Sequence, residues 1–284
     1  MAQGKMNILN SVFTKTMLNK CLSVGHNDIL ICMAERYKLQ GKTYGDLLKI
    51  IYKTIKKEYR NEYYYKNTLL NKLLLGVHSV RTTTALTELP IANSKADFIL
   101  INGKAVVYEI KTELDNIDRL ENQINDYYKA FDHVAVVTYE KNIKNSLELI
   151  QRINKPVGVY CLRKSGVLST VVKPLPYRIL LDKGVIFSIL RKHEYEEILR
   201  RYYTALPDVS SFVYYKECKK LFLELPMEEV YQEFLSVLKK RIVVDEYRFK
   251  DIPYEIKFLA YFNKLKINDY HQLTKFLSQN CGGV

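Results

Sequence analysis

The stretch Ala96-Asp97-Phe98-Ile99-Leu100-Ile101-Asn102-Gly103-Lys104-Ala105-Val106-Val107-Tyr108-Glu109-Ile110-Lys111 decides the fold. Two apolar runs meet at Asn-Gly, a strong short-range signal for a β-hairpin. Side chains alternate along a strand, so Glu109 and Lys111 share one face while Ile110 points to the other. Asp97 opens the first strand. A two-residue Asn102-Gly103 loop would pair Ile101 with Lys104, set Asp97 opposite Tyr108 and leave Glu109 on the far face. A three-residue loop Ile101-Asn102-Gly103, with Gly103 left-handed as a bulge, pairs Leu100 with Lys104 and brings Asp97 and Glu109 to one face. That loop, or an equivalent bulge near Asp97, is the expectation.

Upstream, Leu47, Leu48, Ile51 and Ile55 recur at helical spacing, with Thr43 and Asp46 as a capping start, which predicts a helix over 43–59. A second helix runs from Glu62 to near Gly76. Strands are expected at 84–91, 97–101, 104–111, 134–138 and 158–162, and helices at 117–131 and 145–153. The order is α/β and begins with a meander. After residue 178 the β signal fades, and helices are expected at 185–203, 216–225 and 226–241. Pro226, Glu228 and Glu229 open the last of these and Lys239, Lys240 and Arg241 close it, in accord with the helix dipole. Asn280-Cys281-Gly282-Gly283-Val284 reads as a frayed tail. The division that follows is an N-terminal helical extension at 1–41, an α/β domain at 42–178 and a helical C-terminal domain at 179–284.

The 284 residues carry 44 Lys and Arg against 31 Asp and Glu, a net charge of +13. The excess is blocky: residues 1–60 hold a net +7, 61–140 a net −3, 141–180 a net +7 and 181–284 a net +2. Two basic flanks around an acidic centre suit a chain that attracts a polyanion and holds a cation between. No apolar run approaches the roughly 18 residues of a membrane span, and the first twenty residues lack the apolar core of a signal peptide. A soluble, unexported, cytoplasmic protein without membrane contact is expected. Five scattered cysteines and five isolated histidines, His26, His78, His133, His193 and His271, form no disulfide or zinc pattern. Gly41-Lys42-Thr43 lacks the upstream glycine and strand of a phosphate-binding loop. The 23 tyrosines read mainly as packing groups in a chain without Trp.

Glu-x-Lys occurs three times, at Glu109 with Lys111, Glu217 with Lys219 and Glu255 with Lys257. Only the first follows a strand that opens on Asp and precedes a helix. That helix carries Gln123 and Tyr127, four residues apart and so on one face. Taken together, these residues resemble the PD-(D/E)XK nuclease superfamily, and within it the RecB-like branch with its Gln-xxx-Tyr motif. The sequence is also similar to a bacterial family of predicted nucleases through Asn61-Glu62-Tyr63, Tyr65-Lys66-Asn67, Asn93-Ser94-Lys95-Ala96-Asp97 and Tyr108-Glu109-Ile110-Lys111-Thr112-Glu113-Leu114. The resemblance covers residues 42–175. Ala96 stands where the motif has Pro.

The resemblance implies a restriction-endonuclease-like αβββαβ core and Mg²⁺-dependent hydrolysis of DNA phosphodiester bonds by an activated water. Asp97, Glu109 and the backbone carbonyl of Ile110 would bind Mg²⁺ or Mn²⁺, hard cations that prefer oxygen. Lys111 would position or help deprotonate the attacking water and offset transition-state charge. Gln123 and Tyr127 would hold Lys111 or the nucleic-acid backbone, and Glu62 would make an additional metal or water contact. Against these stand plainer roles: a helix-start carboxylate for Glu62, a surface ion pair for Glu88, and a solvated helix face for Glu113, Asp115, Asp118, Glu121 and Asp126. Lys53, Lys56, Lys57, Lys155, Arg163 and Lys164 would grip phosphates. The helical C-terminal region would dock a protein partner. The alternative is a non-catalytic nucleic-acid-binding or protein-interaction module that kept the fold. Such a module predicts a broken Asp, Glu and Lys trio, and here the trio is intact.

Overall fold

The computed structural model describes residues 9–23, 28–39 and 41–281. His26, the first eight residues and Gly282-Gly283-Val284 lie outside them. The chain divides into two units, one of Met1–Arg81, Lys164–Val167 and Val243–Val284, the other of Thr82–Arg163 and Leu168–Ile242. This division differs from the three successive domains expected, because elements distant in sequence bury each other's apolar faces.

In the first unit, helices α1 (Lys15–Ser23), α2 (Asp28–Arg36), α3 (Tyr44–Glu58) and α4 (Glu62–Leu69) precede the sheet in sequence. Thr43 caps α3 by accepting the Asp46 N–H at 3.2 Å, and Leu47, Leu48, Ile51 and Ile55 are buried as their spacing predicted. Tyr44 stacks on Phe276 with ring centroids 4.7 Å apart, and Tyr63 donates to the Glu255 carbonyl at 2.6 Å. The far C-terminal segment therefore packs with the N-terminal helices. Asn280 and Cys281 are not frayed: Asn280 bridges Thr43, and the Cys281 N–H donates to the Lys42 carbonyl at 2.7 Å. Beyond α4 the helix widens into a π-helical stretch, Leu70–Leu74.

The second unit is built on a six-stranded mixed sheet in the order β1-β2-β3-β4-β5-β6. The strands are β1 (Thr84–Ile91), β2 (Ser94–Asn102), β3 (Lys104–Ile110), β4 (His133–Thr138), β5 (Gly158–Leu162) and β6 (Leu168–Val172). β1 to β3 form an antiparallel meander, β3, β4 and β5 are parallel, and β6 returns antiparallel. The parallel steps are bridged by α5 (Leu120–Tyr127) and α6 (Ile143–Ile153), as parallel pairing requires. β6 was not anticipated. Its signals were the Ser165-Gly166 turn, with Gly166 at φ +89°, and the β-branched run Thr170-Val171-Val172.

Helices α7 (Lys183–Ile189), α8 (Lys192–Leu199), α9 (Ser211–Glu224) and α10 (Met227–Lys239) belong with the sheet. Phe131 meets Phe234, and the Tyr231 hydroxyl donates to Asp132, which ties α10 to the start of β4. The helix expected over 185–203 is broken between α7 and α8. The Glu194 carboxylate takes the Arg191 N–H at 2.7 Å and starts a new helix there. Two of the Glu-x-Lys copies fall on helical segments: Glu217 and Lys219 lie in α9, Glu255 in the 3₁₀ turn Tyr254–Ile256, and Lys257 opens the short helix that follows.

Candidate active site

The β2–β3 hairpin differs in one detail from the loop expected. Asn102 faces Lys104, Ile101 faces Ala105 and Phe98 faces Tyr108, so Leu100 is opposite Val106 rather than Lys104. The correction is a shift of two residues in pairing, which preserves parity. Gly103 is left-handed at φ +68°, the conformation that only glycine adopts at little cost. Continuing the register sets Asp97 directly opposite Glu109, on the same face as Ile99, Ile101 and Val107.

Helix α5 lies on that face. Leu120 and Ile124 are buried with Ile99, Ile101 and Val107, and the next strip of the helix presents Gln123 and Tyr127 to the strand ends. Lys111 follows β3, and its backbone is fixed to β4: its N–H donates to the Val137 carbonyl at 2.8 Å and its carbonyl accepts the Thr138 hydroxyl at 3.2 Å. Asp115 then closes a turn by accepting the Thr112 N–H at 2.8 Å and its hydroxyl at 2.7 Å.

These elements converge on the Glu109 carboxylate, which is 2% exposed. Its Oε1 accepts Lys111 Nζ at 2.9 Å and Gln123 Nε2 at 2.5 Å, and its Oε2 accepts the Tyr127 hydroxyl at 2.6 Å. Gln123 Oε1 accepts a second bond from Lys111 Nζ at 2.9 Å. Burial pushes the Glu109 carboxyl above its usual range, against the pull of Lys111 and of the three hydrogen bonds. Burial, then the negative charge beside it, raises the Tyr127 hydroxyl far above its ordinary value, so it stays a donor. Asp97, half-buried, accepts the Ile110 N–H on Oδ2 at 2.8 Å. That bond ties the start of the Asp97 strand to the end of β3.

Glu88 forms the expected ion pair, with Lys95. It also does something the sequence reading missed. The Ala92-Asn93 turn pairs Ile91 with Ser94, which places Glu88 across from Asp97, and carboxylate oxygens of the two lie within 4.8 Å of each other. Glu88 has φ +55°, an uncommon value for a residue with a side chain in a strand. Working out the β1–β2 register would have found it. Glu62 lies in the other unit at the start of α4, where it is exposed and pairs with Lys66 at 2.5 Å, in keeping with the helix-start role. Asp126 departs from the solvated acidic face: it is buried and held by Ser94 at 2.8 Å and Lys129 at 2.7 Å.

The donor chemistry fits a hard divalent cation such as Mg²⁺ or Mn²⁺. Glu109, Asp97 and Glu88 offer carboxylate oxygens of the kind such a cation prefers, and Glu109 accepts three hydrogen bonds where an ionised carboxylate offers about four lone-pair sites.

The family described as bacteriophage P4 protein cII matches residues 55–252, well over half of the chain. The chain belongs to the bacteriophage P4 protein cII family. Protein cII of Enterobacteria phage P4 is 28% identical to it over 123 residues, 42% of this chain and 46% of that protein. The alignment thus spans under half the length of the phage P4 protein. No solved structure matches the chain. The cII family span includes Glu62, Glu88, Asp97, Glu109, Lys111, Gln123 and Tyr127.

Proposed function

We propose that this cII family member is a metal-dependent nuclease that hydrolyses phosphodiester bonds of DNA. The observation that carries the reading is the Glu109 carboxylate, buried and gripped by Lys111, Gln123 and Tyr127 with Asp97 on the facing strand. A structural ion pair needs no such convergence, since burying charges costs more than a single pair returns. The element order αβββαβ, which the resemblance to PD-(D/E)XK nucleases implies, supports the same reading.

Asp97 and Glu109 would hold Mg²⁺ or Mn²⁺, with Glu88 as a further oxygen at the rim. The bound cation supplies a lowered water pKa and neutralises charge on the scissile phosphate. Lys111 has a narrow set of tasks. Its ammonium is fixed by two acceptors, Glu109 and Gln123, and its third N–H is available to orient a water or donate to a non-bridging phosphate oxygen. Gln123 holds both partners at once, so it sets the distance between carboxylate and ammonium. Tyr127 donates to Glu109 and favours its ionised form against the effect of burial. Phosphate grip would come from exposed Lys53, Lys56 and Lys57 on α3 and from Arg163 at the end of β5, with Lys164 counted in the first unit. Lys155 bonds Asn125 at 2.7 Å and is less suited to that task.

The test is incubation of purified protein with plasmid and with single-stranded DNA, in Mg²⁺ and in excess chelator. Degradation in Mg²⁺ alone is expected. If neither substrate is degraded while Lys111→Ala binds both as the parent does, catalysis is not the role of this site.

A further inference from the structure

At the opposite end of the β2–β3 hairpin from Asp97 and Glu109, about 13 Å away at ~3.3 Å per residue along β2, the sheet unit carries an open pocket of about 490 Å³. Ile101, Gly103 and Lys104 form one side, and Tyr231, Gln232, Leu235, Ser236 and Lys239 of α10 form another. Asp132, His133, Pro176 and Arg178 complete it.

Two classes of polar group meet there. The inner ones satisfy one another: Asp132 accepts the Tyr231 hydroxyl at 2.6 Å, His133 Nδ1 lies 2.7 Å from Asp132 Oδ1, and Arg178 Nε donates to Asp132 Oδ2 at 3.1 Å. Arg178 also bonds Glu228 and lies over the Tyr231 ring at 5.4 Å. This network fixes the wall, and the Arg178 guanidinium offsets the Asp132 charge. The outer ones are not satisfied. Among the described residues, His133 Nε2, the Ser236 hydroxyl and the ammoniums of Lys104 and Lys239 have no hydrogen-bond or ion-pair partner within the protein. His133 itself is 7% exposed. Among the described residues the sealed, unpaired polar atoms are the Tyr37 and Tyr128 hydroxyls, so the outer groups of this pocket face solvent and are open to a ligand.

The unpaired set is rich in donors. Two ammoniums and a hydroxyl donate. Two positive charges and a hydroxyl around one pocket exceed the needs of a monoanionic carboxylate and suit the doubly charged terminal oxygens of a phosphate monoester. The volume exceeds that of inorganic phosphate and falls within the range of small-molecule pockets, and Ile101, Pro176 and Leu235 give the remainder of the ligand an apolar wall. We propose that this cavity is a binding site for a small phosphate monoester of nucleoside monophosphate size, separate from the candidate active site.

The test uses the full chain in metal-free buffer, with adenosine 5′-monophosphate as probe, adenosine and benzoate as controls, and the His133 ring signals in proton NMR as readout, assigned with His133→Gln. The monophosphate is expected to move the His133 signals and to bind at least tenfold more tightly than adenosine or benzoate. Lys104→Ala with Lys239→Ala should weaken it at least tenfold, a loss of about 1.4 kcal/mol. Both lysines are exposed, so the fold should survive, and Ser236→Ala serves as a second variant. Lys111→Ala should bind as the parent does, which separates this site from the nuclease reading. The proposal is overturned if millimolar monophosphate leaves His133 unmoved, if adenosine or benzoate binds equally well, or if the lysine pair can be removed without effect.

Discussion

Tyr127 illustrates how one hydroxyl can serve both stability and chemistry. It donates to Glu109 at 2.6 Å and lies 3.0 Å from the Lys95 carbonyl, with its ring fully buried. Tyr127→Phe keeps the ring and strips a donor from a buried carboxylate, which should cost about 1–3 kcal/mol, read as a lower urea midpoint at unchanged slope. Asp132 makes a prediction about pH. Burial alone would raise its carboxyl, but hydrogen bonds from His133 and Tyr231 outweigh burial and hold it below the usual value. Its stabilisation is therefore present above the unfolded carboxylate value of about 4 and is lost as pH falls through the depressed one. Acid titration of the unfolding free energy should be less steep below about pH 4 for Asp132→Asn than for the parent; equal slopes would contradict this. At this scale Asp97, Glu109, Lys111, Gln123 and Tyr127 were legible because each sits at a spacing with a defined face. Glu88 was not, since its place depends on a register between strands that no local pattern reports.

Elements were read well where a short-range rule governs them and poorly where a partner distant in sequence intervenes. Gly103 took its left-handed role at the hairpin because Asn-Gly encodes it locally. The break between α7 and α8 depends instead on Glu194, whose carboxylate accepts Arg241 Nε at 2.7 Å and Nη2 at 2.6 Å, while the same Nη2 donates to the Ile189 carbonyl at 2.7 Å. Both side chains are buried, and the fork holds the end of α10 to the start of α8. Glu194→Ala leaves a buried guanidinium without its partner and should cost about 3–5 kcal/mol, visible in thermal or urea unfolding. A loss below about 1 kcal/mol would mean that packing alone holds α10. Within residues 185–203 only the Glu194 cap on the Arg191 N–H marks the break, and the fork that holds Glu194 comes from Arg241, 47 residues downstream of it.

For the molecule as a whole, the net charge of +13 is spread over two units rather than along one face of one domain. The basic block at 1–60 falls in the first unit with the far C-terminal helices, and most of the block at 141–180 falls in the sheet unit. The charge pattern suggested a cation-holding centre between basic flanks, but the pairing of chain ends could not be seen in it, since contacts such as Tyr44 on Phe276 join residues more than two hundred positions apart. The central claim is that Lys111, held by Glu109 and Gln123, acts in metal-dependent cleavage. The most direct measurement is the initial rate of cleavage of one end-labelled DNA strand in Mg²⁺ by the parent and by Lys111→Ala, with binding of both measured alongside in Ca²⁺. The account predicts a rate lower by about 10²- to 10⁴-fold in the variant at similar affinity. Equal rates, or no metal-dependent cleavage by a folded parent that binds the strand, would contradict it.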